Sequence, residues 1–125
     1  MHYGQEIFEG LKAYRRKDGG INLFRPDQNV KRMANSAKRL LMAEDEFIKA
    51  VKEVVLANQD YVPPCGSSGT LYLRPFMMGT QPIVGVSSSE TYQFRIYATP
   101  ILRALSRCHM NSATMIVLRH LALDK

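Results

Sequence analysis

The segment GLKAYRRKDGGINLFRP, residues 10–26, carries the clearest fold signal in the chain. Apolar and polar side chains alternate in residues 10–14 and again in 21–24, which is the pattern of two half-buried β-strands. The KDGG sequence at 17–20 between them supplies the positive φ angles that a tight hairpin turn requires. Pro26 suits the first turn of a helix, where its missing N–H leaves no hydrogen bond unmade. The segment therefore predicts a β-hairpin followed directly by an α-helix.

Two helices are predicted after this hairpin. In the first, one apolar stripe at helical spacing consists of Val30, Met33, Ala34, Ala37, Leu40 and Leu41. In the second, the same spacing joins Phe47, Ile48, Val51, Val54 and Val55. Acidic residues occupy positions 44–46, in the first turn of this second helix, where the helix dipole favours negative charge. Both stripes need a sheet or another helix to cover them.

Two further strands are predicted in the second half of the chain. Residues 62–69 form a loop by composition, and residues 70–74 and 92–98 have the alternation of strands. The order β-β-α-α-β-β indicates an α+β layer rather than alternating βαβ units. Residues 113–123 are mostly apolar and contain neither glycine nor proline, which we interpret as a short helix.

The composition of the 125 residues, 46% hydrophobic and 22% charged, fits one globular domain and argues against disorder. The net charge is +6, but half of it lies in residues 101–125 and no run of five basic residues occurs, so we expect no nucleic-acid partner. Two cysteines make no disulfide framework, and the three histidines show no metal-ligand spacing. Without a signal peptide or an apolar run near the ~20 residues of a membrane span, we expect a cytoplasmic protein with no membrane partner.

Anion-binding residues are the strongest chemical signal. Tyr72 and Arg74 are two apart on one predicted strand and so face the same side, where a phenol and a guanidinium about 7 Å apart suit a carboxylate. On spacing alone, a solvated sheet face with an extended surface arginine is the favoured interpretation. Arg32, near the start of the first helix, could reach a phosphate or lie on the surface. Tyr3 and Phe8 fit either a core or a pocket wall.

Five blocks of sequence, taken in order, resemble one known family. They are HYGQEIFEGLKAY at 2–14, LFRP at 23–26, NVKRM at 29–33, TLYLRP at 70–75 with Gly79, and GV at 85–86 with IYATP at 96–100. Together they resemble the N-terminal domain of branched-chain amino acid aminotransferases, class IV enzymes of fold type IV that depend on pyridoxal 5'-phosphate.

This resemblance implies a fold and a reaction. The fold is the small N-terminal domain of the D-amino-acid-aminotransferase-like type, incomplete and spanning residues 1–100, followed by a tail at 101–125 that does not resemble the family. We interpret the abrupt end of similarity after Pro100 as a frameshift, a splicing fault or a truncated gene rather than a new module. The reaction moves an amino group from Leu, Ile or Val to 2-oxoglutarate, with small-molecule amino acid and 2-oxo acid substrates, in a homodimer.

The resemblance also assigns roles to individual residues. It implies that Arg32 binds the cofactor phosphate. Tyr72 and Arg74 match residues at the carboxylate of the substrate or of 2-oxoglutarate. Tyr3 and Phe8 match walls of the pocket for the branched side chain. The loop residue Val86 matches one that reaches the pocket of the partner subunit.

The catalytic lysine of the family has no counterpart in this chain. In the family, the lysine that bonds covalently to pyridoxal phosphate lies in a glycine-rich segment, and none of the seven lysines here stands in that context. We therefore expect no transaminase turnover from the chain alone. The alternative is a non-catalytic binding or regulatory subunit that pairs with an intact aminotransferase. A third possibility is a basic module that binds nucleic acid through residues 101–125.

Overall fold

The computed structural model describes residues 4–36, 44–101 and, for the backbone, 114–122. Within this part of the chain lie six β-strands and two α-helices. The strands are β1 (Glu6–Phe8), β2 (Leu11–Arg15), β3 (Ile21–Leu23), β4 (Thr70–Gly79), β5 (Thr91–Ile101) and β6 (Thr114–Ala122). The helices are α1 (Pro26–Ser36) and α2 (Glu44–Ala57), and a short 3-10 turn, Gln59–Tyr61, follows α2.

All six strands belong to one antiparallel sheet, in the order β3-β2-β4-β5-β6, and β1 pairs with β4 beyond the end of β2. The predicted hairpin is confirmed, because β2 and β3 pair directly and Gly19 in the turn has a φ of +84°. The helix predicted at Pro26 begins there. The mixture of two helices with an antiparallel sheet confirms the α+β class.

On the side of β4 away from β5, two short strands, β1 and β2, pair with it and meet opposite Pro75. The backbone carbonyl of Pro75 accepts a hydrogen bond of 2.8 Å from the N–H of Glu9, but proline has no N–H to donate in return. β1 therefore pairs with β4 up to Phe76, and β2 resumes the pairing at Leu73. The junction of β1 and β2, at residues 8–10, consequently lies at the middle of β4 rather than at a sheet end.

The core lies between one face of the sheet and the two helices. α2 buries four residues of its predicted stripe against the sheet, and its Phe47 ring lies 5.9 Å from the ring of Phe94 on β5. On α1, Val30 and Met33 are buried as predicted, but Ala34 is exposed, so its place in the stripe is wrong. The remaining members of that stripe, Ala37, Leu40 and Leu41, lie outside the described residues.

The other face of the sheet, which the helices do not cover, carries polar and aromatic side chains. Leu71 and Leu73 are buried in the core, whereas Tyr72, Arg74 and Phe76 alternate with them and are half-buried on this second face. The alternation predicted for the strand at 70–74 is therefore confirmed, although β4 runs five residues further than predicted. None of the helices in the described ranges is long and apolar enough to cross a membrane.

The helix expected over residues 113–123 is wrong, because residues 114–122 form strand β6. β6 pairs antiparallel with β5, and the register places Met115 opposite Tyr97 and Ile116 opposite Ile96. A short apolar run without periodicity does not distinguish a strand from a buried helix, and β5 supplies the backbone partners that decide the outcome.

The three-residue strand β1 is also absent from the predicted order of elements. The domain division at residue 100 stays a prediction. Beyond that residue, β6 pairs with β5 in the same sheet.

Candidate functional site

An arginine cluster, formed by Phe8, Tyr72 and Arg74, lies on the second face of the sheet. The guanidinium carbon of Arg74 lies 4.6 Å from the centre of the Phe8 ring and 5.4 Å from the centre of the Tyr72 ring. Arg74 donates hydrogen bonds to the Tyr72 hydroxyl from Nε at 3.0 Å and from Nη2 at 2.6 Å. Two aromatic contacts and two hydrogen bonds to one oxygen therefore hold the guanidinium in place.

The Tyr72 ring packs against the backbone of Gly10, where there is no space for a side chain. A Cβ atom placed on Gly10 would lie only 2.7 Å from the Tyr72 hydroxyl oxygen and 3.3 Å from the ring carbon that bears it. The hydroxyl thus occupies the space that any other residue at position 10 would fill. The backbone at the junction of β1 and β2 accordingly forms one wall around the Tyr72 hydroxyl.

We predict that Gly10→Ala displaces the Tyr72 ring and breaks its hydrogen bonds with Arg74. The added methyl overlaps the hydroxyl, and the strain should destabilise the fold by about 1–3 kcal/mol. Thermal denaturation measures the stability, and side-chain NMR of Tyr72 measures the displacement. Gly85→Ala is the matched control, because a Cβ there meets only Ile83 at 4.0 Å. An unchanged Tyr72 spectrum in Gly10→Ala would contradict this close packing.

A second cation lies beside the cluster, on α1. Arg32 donates to the Glu9 carboxylate from Nε to Oε1 at 3.1 Å and from Nη2 to Oε2 at 2.9 Å. The buried Asn29 donates from its amide to Glu9 Oε2 and to the backbone carbonyl of Gly10, both at 3.0 Å. Glu9 therefore joins α1 to the junction of β1 and β2, next to Phe8 of the arginine cluster.

The Glu9–Arg32 pair is charged on both sides. Burial by itself raises the pKa of Glu9, but hydrogen bonds from Arg32 and Asn29, with the positive charge of Arg32, lower that pKa below its ordinary value. The hydrogen bond and charge of Glu9 raise the pKa of Arg32 in turn. At neutral pH the pair is therefore a carboxylate and a guanidinium.

A cleft of about 350 Å³ opens between β2, the start of α1 and Tyr72. Its polar lining consists of Lys12, Tyr14, Arg25, Gln28, Asn29, Arg32 and Tyr72, and none of the residues that line it carries a carboxylate. Three cations around one cleft favour a bound anion. Since these donors are the kind that bind phosphate, the cleft fits the phosphate group that the resemblance places at Arg32.

The predicted site residues fall into three groups. Arg74 contacts both Phe8 and Tyr72, and Arg32 shares the cleft with Tyr72. Val86 lies elsewhere, in the loop between β4 and β5, and is 97% exposed. Tyr3 lies outside the described residues. Among residues 4–36 and 44–101, no group of three or more histidine, cysteine or acidic side chains could hold a metal ion.

The sequence does not predict Glu9, Gly10 and Asn29 as site residues, nor the cleft residues Lys12 and Arg25. Asn29 stands three positions before Arg32, hence on the same helix face, and this spacing could have revealed it. Glu9 is 23 positions from Arg32, and no local pattern joins the two. Gly10 was assigned to the hairpin strand, although it meets Tyr72 from another strand.

Comparison with known proteins decides the relationship. The chain is 52% identical over 104 residues to "Branched-chain-amino-acid aminotransferase" of Haemophilus influenzae, and the match covers 81% of this chain. Over that length the chain is related to the branched-chain-amino-acid aminotransferases. The resemblance noted in the sequence is thereby confirmed. No family model matches the chain.

Other branched-chain-amino-acid aminotransferases give similar values. "Branched-chain-amino-acid aminotransferase 2, chloroplastic" of Arabidopsis thaliana is 49% identical over 81% of this chain. The protein named as the aminotransferase in Mycolicibacterium smegmatis is 46% identical over 80% of it. The matches cover 30%, 26% and 28% of these three relatives, so the chain spans less than a third of each aminotransferase.

Proposed function

We propose that this chain supplies the carboxylate- and phosphate-binding part of a branched-chain-amino-acid aminotransferase site. The observation that carries this proposal is the Arg74 guanidinium, which Tyr72 and Phe8 hold on a sheet face next to the cationic cleft at Arg32. The names of the relatives support the transfer of an amino group from a branched-chain amino acid. Leu, Ile and Val as donors and 2-oxoglutarate as acceptor are what the sequence resemblance implies.

In this proposal, Arg74 binds the carboxylate that the amino acid and the 2-oxo acid share. A guanidinium pairs with a carboxylate through two parallel hydrogen bonds, which fix both distance and orientation. Tyr72 orients the guanidinium before the substrate arrives. Phe8, 66% exposed beside Arg74, offers an apolar surface to the hydrocarbon side chain and excludes water from the ion pair.

Pyridoxal 5'-phosphate is the cofactor that this proposal implies. Arg32 would hold its phosphate, and Lys12 and Arg25 would add positive charge from the same cleft. When bound, this cofactor supplies the electron sink that makes the α-proton of an amino acid acidic. The residues of this chain bind and orient; the family's covalent lysine has no counterpart among its seven lysines.

The finer fold, the assembly and the location belong to the same proposal. An antiparallel sheet with both helices on one face supports a partial small domain of fold type IV. A homodimer is supported by the loop between β4 and β5, where Val84 and Val86 are 99% and 97% exposed. A cytoplasmic location is proposed from the sequence, although several plant relatives are named as chloroplastic.

The same exposed loop also favours the alternative, a non-catalytic subunit that pairs with an intact aminotransferase. Exposed apolar side chains on one loop are typical of a protein contact. Co-purification of the 125-residue chain with a full-length enzyme, lost on Val84→Ser with Val86→Ser, is the result that would favour this alternative.

The carboxylate-binding role is tested by calorimetric titration of the 125-residue chain. We expect 4-methyl-2-oxopentanoate to bind with a dissociation constant on the order of millimolar, because one charge-assisted pair carries most of the affinity. Its methyl ester, which has the same hydrocarbon but no charge, is expected to bind at least tenfold more weakly. Equal binding of acid and ester would contradict a carboxylate site.

An activity assay of the same preparation is the companion measurement. With pyridoxal phosphate, leucine and 2-oxoglutarate added, we expect no glutamate above a blank without protein, because the covalent lysine is missing. Glutamate formation by the chain alone would show that another residue carries the proton transfer and would overturn the proposed division between binding and chemistry.

A further inference from the structure

We propose that Glu9 is a positioning residue for Arg32, fixing its guanidinium at the wall of the cleft and thereby setting the affinity of the chain for a phosphate monoester. This inference rests on the proposed function, which places a phosphate at Arg32. No local sequence pattern points to Glu9. Its effect on phosphate affinity is exerted through the position of the Arg32 guanidinium alone.

The geometry of the pair fixes the plane of the guanidinium. Glu9 accepts from Nε at 3.1 Å and from Nη2 at 2.9 Å, so two parallel bonds hold one edge of the planar group. Within the described part of the chain, no acceptor is seen for the N–H groups of Nη1. The opposite edge of Arg32 is thus available to an anion in the cleft, which Arg32 lines.

Glu9 is the better-fixed partner of the two. Its side chain is 10% exposed and that of Arg32 is 61% exposed. Asn29 donates to the Glu9 carboxylate at 3.0 Å, the N–H of Gly10 contacts it at 3.4 Å, and the Glu9 backbone N–H donates to Pro75 at 2.8 Å. A long exposed arginine loses side-chain entropy when it binds a ligand, which weakens the affinity. Because the Glu9 carboxylate already fixes the Arg32 side chain, less entropy is lost when a phosphate binds.

The lowered pKa of Glu9 supports this role, because its carboxylate is charged at the neutral pH at which phosphate binding is measured. A negative charge beside a phosphate site also repels the anion, so electrostatics alone predicts the opposite effect, tighter binding once Glu9 is neutral. The two effects have opposite signs. The sign measured in a neutral variant therefore decides between positioning and simple repulsion.

A second arginine–carboxylate pair provides a matched control. Arg16 and Asp18 form a salt bridge of 2.7 Å in the turn between β2 and β3, with both side chains at least half exposed. Neither residue lines the cleft. Asp18→Asn removes the same charge from the chain as Glu9→Gln, without touching Arg32.

The experiment compares pyridoxamine 5'-phosphate with pyridoxamine by fluorescence titration. Neither compound carries an aldehyde that reacts with lysines, and the ratio of their affinities isolates the phosphate. We expect the wild-type chain to prefer the phosphorylated compound at least tenfold. Arg32→Gln should abolish that preference, Glu9→Gln should reduce it about threefold to tenfold with pyridoxamine affinity unchanged, and Asp18→Asn should leave it as in wild type.

Other outcomes overturn the inference in distinguishable ways. A preference that Arg32→Gln removes and Glu9→Gln leaves intact, or strengthens, refutes positioning by Glu9 but not the phosphate site. Equal loss for both compounds in Glu9→Gln assigns Glu9 a role in folding only. A wild-type chain without any preference, or one insensitive to Arg32→Gln, refutes the proposed phosphate site and Glu9's role with it.

Glu9→Asp keeps the inference testable if Glu9→Gln does not fold. Aspartate retains the charge but is one methylene shorter, so it cannot reach both Nε and Nη2 from the same backbone position. We expect its phosphate preference to be lower than that of the wild type. Full wild-type preference in Glu9→Asp would contradict a role that depends on geometry.

Discussion

Phe47→Ala is expected to destabilise the fold by about 3–5 kcal/mol, the usual cost of truncating a buried phenylalanine. Phe47 is 1% exposed and packs its ring, tilted by 50°, against Phe94 of β5. It stands on the inward face of α2 with Val51 and Val54, so its loss leaves a cavity between the helix and the sheet. Single domains have only about 5–15 kcal/mol of total stability, so this variant should be near the unfolding limit.

Urea denaturation of both proteins measures this effect. Leu56→Ala is the matched control, because Leu56 lies on the same helix but is 64% exposed and should change the free energy of unfolding by less than about 0.5 kcal/mol. If Phe47→Ala and Leu56→Ala had similar midpoints, α2 would not be packed against the sheet as described.

Arg74→Ala is expected to weaken the binding of 4-methyl-2-oxopentanoate by about 10-fold to 100-fold. Hydrogen bonds to charged groups contribute about 1.5–3 kcal/mol each, and removal of the guanidinium also leaves the Tyr72 hydroxyl without its two donors. Arg74→Lys keeps the charge but loses the planar fork and its contact with Phe8, so most of the loss should remain.

Arg16→Ala is the control for Arg74, since it removes one positive charge from an exposed turn. Calorimetric titration of the three variants gives the affinities, and circular dichroism verifies that each is folded. Wild-type affinity in Arg74→Ala would place the carboxylate elsewhere. A loss in Arg16→Ala as large as in Arg74→Ala would show that net charge, rather than a defined site, attracts the acid.

The parts of the fold that follow from local periodicity were predictable. Alternation of buried and open positions along a strand placed Tyr72 and Arg74 together on one face, and helical spacing identified the buried stripe of α2. Residues 114–122 show the limit of such reasoning, because an apolar run of that length fits either a strand or a helix and only pairing with β5 decides.

The details that complete the site depend on distant parts of the chain. Glu9 meets Arg32 because Pro75 divides the strand pairing and places the junction of β1 and β2 beside α1. Gly10 is needed because a tyrosine 62 positions later occupies its side-chain space. Neither contact has a signature in the neighbouring sequence, and both follow from the register of β4 with its two partners.

The carboxylate-binding role of Arg74 is tested most directly by following the arginine Nε–Hε signals of a nitrogen-15-labelled chain during titration with 4-methyl-2-oxopentanoate. We expect one large, saturable shift at Arg74, a smaller shift at the neighbouring amide of Gly10, and little change at Arg16. Shifts of equal size at all arginines, or the largest shift at an arginine outside this cluster, would contradict a carboxylate site built by Phe8, Tyr72 and Arg74.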